Sequence, residues 1–322
     1  MGNDSSLNRR HFLKMLALSP LAPLLFSGCR DRASFILGTY PHPGHEAFYL
    51  AEHFGQLPAN VSLRKSESSS LLLSAMLEGK LDAATLALDE VLTCLQQGVQ
   101  LSIVLVLSNS CGSDYLLCRP ELQQPRQIKG KVVALEQRPA TEMLLDQTLN
   151  KLKLSRDDIQ LAYLPQLQQL MAWQDQQIDL VITCPPVSNY IRRTGANALY
   201  PDSCNLPPLY QMLAVRSDRM GDEATLLGVL SACLAGQSHL RLFYNDSINR
   251  IAGWRNLSLT ECYDYFRPVE IPDVQTNLRL MSETALMAQS CQLLSNYLPT
   301  RPATDKLFHT EALYHLHLEQ RL

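Results

Sequence analysis

From Ser34 onward, short apolar runs alternate with amphipathic stretches that tend to close on a glycine, a rhythm that calls for a parallel sheet covered by helices. Ser34 to Gly38 predicts a strand and His45 to Phe54 a helix ended by Gly55. Asn60 to Lys65 predicts the next strand, and Ser68 to Glu78 a helix with Leu71, Leu72, Ala75 and Met76 on one face, stopped by Gly79. Asp82 to Leu88 predicts a strand, Asp89 to Gln97 a helix ended by Gly98, and Leu101 to Leu107 a strand apolar on both faces.

A second series opens after the turn signal Lys129-Gly130. It runs through strand Lys131 to Leu135, helix Ala140 to Leu152, strand Ile159 to Leu164, helix Leu167 to Gln176 and strand Leu180 to Cys184. Pro185-Pro186 then opens a helix toward Arg192, and Tyr210 to Val215 predicts a returning strand. From Asp222 the pattern is almost wholly helical. At 322 residues the chain exceeds the size at which one core stops growing. The expected division is a leader over 1–28, a first lobe over 29–112, a second over 113–208, and a return strand with C-terminal helices over 209–322. The crossings fall near Ser113 to Arg119 and Leu206 to Tyr210, typical hinge positions.

The first thirty residues differ from the rest. Asn8-Arg9-Arg10-His11-Phe12-Leu13-Lys14 precedes the apolar stretch Met15 to Phe26, which is too short for a bilayer needing about 20 residues, and so it reads as targeting rather than as a transmembrane helix. The paired arginines resemble a twin-arginine export signal. Phe26-Ser27-Gly28-Cys29 resembles a lipobox, which would leave Cys29 lipidated at the membrane face.

A net charge of −3 with mixed signs gives no footprint for nucleic acid. Apart from Cys29, the cysteines are scattered through apolar patterns and form no CxxC pair, so neither a disulfide framework nor a structural zinc site is expected.

In open α/β sheets ligands bind beyond the carboxyl ends of strands. The residues there are Tyr40, His42, His45 and Glu46; Ser68 and Ser69; Asp89 and Glu90; Ser108, Asn109, Ser110, Ser113 and Asp114 in a loop after Leu107; Glu136, Arg138 and Thr141; and Thr183 and Pro185. Facing loops from two lobes make a cleft that can close, and all of these are candidate ligand contacts. Ser68 and Asp89 also read as helix N-caps. His42, His45 and Glu46 carry metal-ligating atoms, but their spacing matches no ligand motif. Cys111 would be a nucleophile only with a lowered pKa; otherwise it is an inert thiol.

Taken in order, Tyr40-Pro41-His42-Pro43-Gly44, Leu77-Glu78-Gly79-Lys80-Leu81-Asp82-Ala83-Ala84, Ser110-Cys111-Gly112-Ser113-Asp114, Ile128-Lys129-Gly130-Lys131-Val132-Val133 and Ile178-Asp179-Leu180-Val181 resemble the nitrate, sulfonate and taurine type of ABC-transporter substrate-binding proteins, a group that includes thiamine-pyrimidine-synthesis-like receptors. The resemblance implies an α/β type II periplasmic-binding fold, a monomeric periplasmic receptor without cofactor or metal, and an inner-membrane permease and ATPase as partners. It leaves open a sensor role beside a membrane signalling protein and a cysteine-dependent enzyme on the same fold. Glu46, Asp89, Glu90, Asp114 and Glu136 against Arg138 favour an amine or protonated heterocycle over an oxoanion.

Overall fold

The computed structural model describes residues 35–110, 115–122, 124–185, 187–199, 208–282 and 284–319. The leader, with Cys29, and residues 111–114, with Cys111, Ser113 and Asp114, lie outside the described residues.

Two sheets organise the chain. The first contains β1 (Phe35–Thr39), β2 (Val61–Lys65), β3 (Ala83–Ala87), β4 (Leu101–Ser110), β10 (Leu209–Arg216) and β11 (Val269–Glu270), in the order β11-β4-β10-β3-β1-β2. The second contains β5 (Tyr115–Cys118), β6 (Val132–Leu135), β7 (Gln160–Tyr163), β8 (Leu180–Thr183) and β9 (Asn197–Ala198), in the order β7-β6-β8-β5-β9. The chain changes sheet between β4 and β5 and again between β9 and β10, giving a two-lobed α/β fold.

Neither sheet is purely parallel, a departure from the sequence expectation. The β10 strand lies antiparallel between β3 and β4, and β5 lies antiparallel to β8, because each enters its sheet from the other lobe rather than through a covering helix. A second departure follows. Ser108, Asn109 and Ser110 are not a loop: they extend β4 and pair with Gln211, Tyr210 and Leu209 of β10, while β11 covers the other edge at Asn109 and Ser110.

In the first lobe, α1 (Glu46–His53), α2 (Ser69–Leu77) and α3 (Leu88–Gln96) follow β1, β2 and β3; in the second, α4 (Pro139–Leu152), α5 (Gln166–Gln174) and α6 (Val187–Arg193) follow β6, β7 and β8. The C-terminal helices are α7 (Glu223–Leu242), α8 (Tyr244–Arg255), α9 (Leu259–Phe266), α10 (Val274–Ser282), α11 (Thr284–Ser295) and α12 (Glu311–Glu319). They return to the first lobe, but α11 also packs on α4 of the second. Among the described residues, no single helix is long and apolar enough to cross a membrane.

The α7 helix lies so close to α1 that a Cβ on Gly236 would sit 2.0 Å from the Ala47 carbonyl oxygen. Alanine there gains ~1 kcal/mol of helix propensity but meets backbone that no rotamer change can move, and such overpacking costs ~1–3 kcal/mol or more. Gly236→Ala is therefore expected to lower the thermal midpoint by several degrees. A midpoint at or above wild type would show that the two helices are not in this contact.

Candidate functional site

The two lobes meet where the N-termini of α3 and α4 converge. Asp89 does not cap its own helix, which begins one residue earlier, with Ala87 at the N-cap. Its carboxylate instead crosses to the other lobe. Arg138 donates to it through Nε at 3.0 Å and Nη2 at 3.1 Å, and the Ala140 backbone N–H donates at 3.2 Å. Arg138 is the N-cap residue of α4 and supplies no side-chain cap, so an aspartate from the first lobe accepts the Ala140 N–H at the start of a helix in the second. Glu136 also approaches Arg138, at 3.9 Å.

Glu90 reaches back to accept the Ala87 N–H at 2.8 Å, doing the capping that alanine cannot. Burial pushes its carboxyl up to about 7, the adjacent Asp89 adds to this, and Arg138 opposes it. The Ser69 hydroxyl also donates to Glu90.

A ring cluster stands at the carboxyl end of β1. Tyr40 and His45 meet edge-on with centroids 4.8 Å apart, and His42 and His45 lie at 4.7 Å. All three are buried. Gly44 lets the short turn Pro43–His45 press against β4, since a Cβ there would lie 2.2 Å from Ser108 Oγ. His45 shares hydrogen bonds with the Tyr40 carbonyl, Thr85 Oγ1 and Gln211 Oε1, each at 3.1 Å, and Tyr40 donates to the same Gln211 oxygen at 3.3 Å. Burial lowers both imidazoles, His45 to about 3, so these are neutral polar rings. Gln211 and Thr85 were not among the residues singled out from sequence. Gln211 arrives on a strand 166 residues after His45, a link that no local pattern carries.

Other candidates go elsewhere. Glu46 is wholly buried within the first lobe, where Arg255 donates to it through Nε at 2.7 Å and Nη2 at 3.1 Å, Trp254 Nε1 at 3.2 Å and Tyr265 Oη at 3.0 Å. Its carboxylate is engaged in that network, so it joins neither the two histidines nor the interlobe contact. Ser68 caps α2, accepting the Leu71 N–H at 3.3 Å. Thr141 donates to the carbonyls of Glu136 and Arg138 and so stiffens the loop that presents Arg138. The Ser108 and Thr183 hydroxyls are buried without a hydrogen-bond partner among the described residues. Pro185 lines a separate pocket of about 290 Å³ with Asn189, Arg192, Arg193, Glu261, Asp264 and Arg267.

A cavity of about 330 Å³ opens between the lobes. The first lobe contributes Ser69, Ser70, Leu73, Glu90 and Thr93; the second contributes Glu136, Gln137, Arg138 and Pro139 after β6, and Tyr163, Leu164 and Pro165 after β7. It continues into a groove of about 570 Å³ that shares Thr93, Gln137, Arg138, Pro139 and Tyr163 and reaches Tyr297.

Glu90 at the cavity and His45 in the ring cluster give opposite pH slopes. Glu90, raised from 4.5 to about 7, holds a proton in the folded state that the unfolded chain has released. Its contribution is complete below 4.5 and is lost as the pH rises through about 7. His45, lowered from 6.5 to about 3, contributes above 6.5 and loses its contribution as the pH falls toward 3. Glu90→Gln removes only the first slope. The stability difference between wild type and variant, from urea unfolding at several pH values, is expected to shrink as the pH rises through about 7. A difference independent of pH would contradict this assignment.

A family model described as NMT1/THI5 like matches residues 43–239, which include His45 of the ring cluster, both sides of the interlobe cavity and most of α7. The chain belongs to the NMT1/THI5-like family. Curated protein sequences give no match. Solved structures do match this NMT1/THI5-like chain. The alkanesulfonate-binding protein SsuA from Xanthomonas axonopodis pv. citri, bound to MOPS, is 18% identical with a TM-score of 0.67, covering 86% of this chain and 98% of its own. The ligand-binding component of an ABC-type import system from Staphylococcus aureus, with zinc bound, is 10% identical with a TM-score of 0.72, covering 88% and 98%. The desulfurization enzyme DSZB is 14% identical with a TM-score of 0.67, covering 89% and 100%. At these identities the shared property is the periplasmic-binding-like fold.

Proposed function

We propose that this chain is an exported solute-binding receptor of an ABC importer, which takes a small organic amine or protonated heterocycle between its lobes and performs no chemistry on it. The observation that carries the reading is the interlobe cavity, mostly apolar, edged by polar side chains from both lobes and large enough for a small metabolite. Contacts made by both lobes exist only when they are together, so a solute seated there shifts the population toward the closed form, the state a permease would recognise.

The sign of the charge supports a cation. Glu136, 3.9 Å from Arg138, and Glu90, which ionises only as the pH rises through about 7, line the cavity, whereas the guanidinium of Arg138 is bound by Asp89 through both carboxylate oxygens. An alkanesulfonate, of the kind the Xanthomonas protein binds, would face Glu136 and an arginine already engaged by Asp89, and above about pH 7 an ionised Glu90 as well. Export rests on the leader, with its paired arginines and apolar stretch, and tethering rests on Cys29.

A thermal-shift screen with amines, pyrimidines, sulfonates and small oxoanions tests the reading. An amine or heterocycle at 100 times its Kd should stabilise by ~2.7 kcal/mol, and Glu136→Gln should reduce that shift. Stabilisation by sulfonates alone would overturn the charge argument, and turnover of any bound compound would overturn the receptor reading.

A further inference from the structure

A strip of exposed apolar and aromatic side chains of the first lobe lies remote from the cavity. Where α7 turns into α8, Leu242 is 76% exposed and Phe243 59%, and Tyr244, Phe54 and Trp254 are exposed beside them. Ring contacts make the strip continuous: Phe243 to His239 at 5.1 Å, His239 to Phe54 at 4.5 Å, Phe54 to His53 at 5.0 Å and His53 to Trp254 at 5.9 Å. Arg250 lies over Phe54 at 5.2 Å and pairs with the exposed Asp246 at 2.6 Å, and Arg241 is exposed on the same corner. Single exposed apolar residues are ordinary; a contiguous aromatic strip marks an interaction surface.

Its place in the fold identifies the partner. Because β1 and β2 are parallel, α1 between them runs back from the cavity, so its C-terminal end lies at the pole where β1 begins. The α8 helix runs against α1, with Arg255 at Glu46 and Arg250 at His53, and the corner at 242–244 therefore lies beyond the end of α1, at that same pole. The chain preceding Phe35 carries the apolar stretch and Cys29, and six residues of backbone cannot span more than ~20 Å however they are arranged. An anchor at Cys29 would hold this pole at the bilayer and raise the local lipid concentration around it. Phenylalanine, tyrosine and tryptophan flanked by arginine form the composition that settles at the headgroup level.

We propose that this corner is a membrane-surface contact, in which Leu242, Phe243 and Tyr244 enter the interface of an anionic bilayer and Phe54 and Trp254 lie against it. The contact rests on the reading that the chain is tethered. It would set the first lobe with this pole at the lipid and the interlobe cavity at the opposite, carboxyl ends of its strands.

The two tryptophans make the test selective, since Trp173 is buried at 1% exposure and Trp254 lies on the strip. The full chain is bound to vesicles of phosphatidylethanolamine and brominated phosphatidylglycerol, and Trp254 emission is followed together with pelleting. Expected is quenching by the brominated lipid and protection from aqueous acrylamide, with the quenching reduced on the order of tenfold in the Leu242→Ser, Phe243→Ser double variant, whose fold should be undisturbed because both side chains are exposed. A chain that pellets while Trp254 stays open to acrylamide would overturn the contact and leave the tether intact. A chain that does not pellet would overturn the tether on which the contact depends. Self-association lost in the double variant, without any effect of lipid, would assign the strip to a second copy and also overturn the proposal.

Discussion

Glu46→Ala is expected to lower the stability of the fold by ~3–5 kcal/mol, a fall of roughly 10 °C in the thermal midpoint, with little effect on solute affinity. The carboxylate is fully buried and receives four hydrogen bonds from Arg255, Trp254 and Tyr265. Truncation leaves a guanidinium at 15% side-chain exposure without its counter-charge, and two further donors without an acceptor. The reciprocal change should cost less. In Arg255→Met the remaining carboxyl can take a proton, because burial already pushes Glu46 up while Arg255 and its hydrogen bonds hold it down. The penalty for Arg255→Met should therefore shrink as the pH is lowered, whereas that for Glu46→Ala should not. Thermal melts of both variants at pH 5 and pH 8 test this, and equal costs at both values would contradict it.

The second large effect falls on binding rather than on stability. Asp89→Ala is expected to weaken solute affinity ~10–100-fold, the equivalent of the ~1.5–3 kcal/mol typical of hydrogen bonds to charged groups. Asp89 holds both the Arg138 guanidinium and the α4 N-terminus from across the lobe boundary, so removing it raises the free energy of the closed form. Stability should change by less than ~1 kcal/mol, because Arg138 is 17% exposed and regains water once the lobes part. Calorimetry with the strongest thermal-shift ligand measures the affinity, and small-angle scattering should show a larger radius of gyration for the variant than for wild type without solute. Unchanged affinity would remove the clasp from the account. The two substitutions thus separate what holds one lobe together from what holds the two lobes to each other.

Much of this was legible in the sequence, for identifiable reasons. Strand and helix periods together with terminating glycines give the βα order, and Gly55, Gly79 and Gly98 all adopt positive φ at helix ends, as their positions imply. Glu90, Glu136 and Arg138, singled out by their place after strands, line the interlobe cavity. What sequence could not supply was partner choice across the fold. Tyr115–Cys118 is too short and too uniformly apolar to show a strand period, and only its pairing with Leu180–Thr183 makes it one. Ser108 to Ser110 are polar enough to suggest a loop until β10 is placed alongside. Glu46 is indistinguishable from a cleft carboxylate until Arg255, 209 residues later, claims it. Asp89 lies where a helix cap is expected, and nothing local shows that the helix it caps belongs to the other lobe.

The most direct test of the central claim is mass spectrometry of the solute released when the purified chain is denatured. The account predicts one small amine or nitrogen heterocycle per chain, lost from the Asp89→Ala protein. A sulfonate or other oxoanion recovered in its place, or a solute retained at full occupancy by Asp89→Ala, would contradict it.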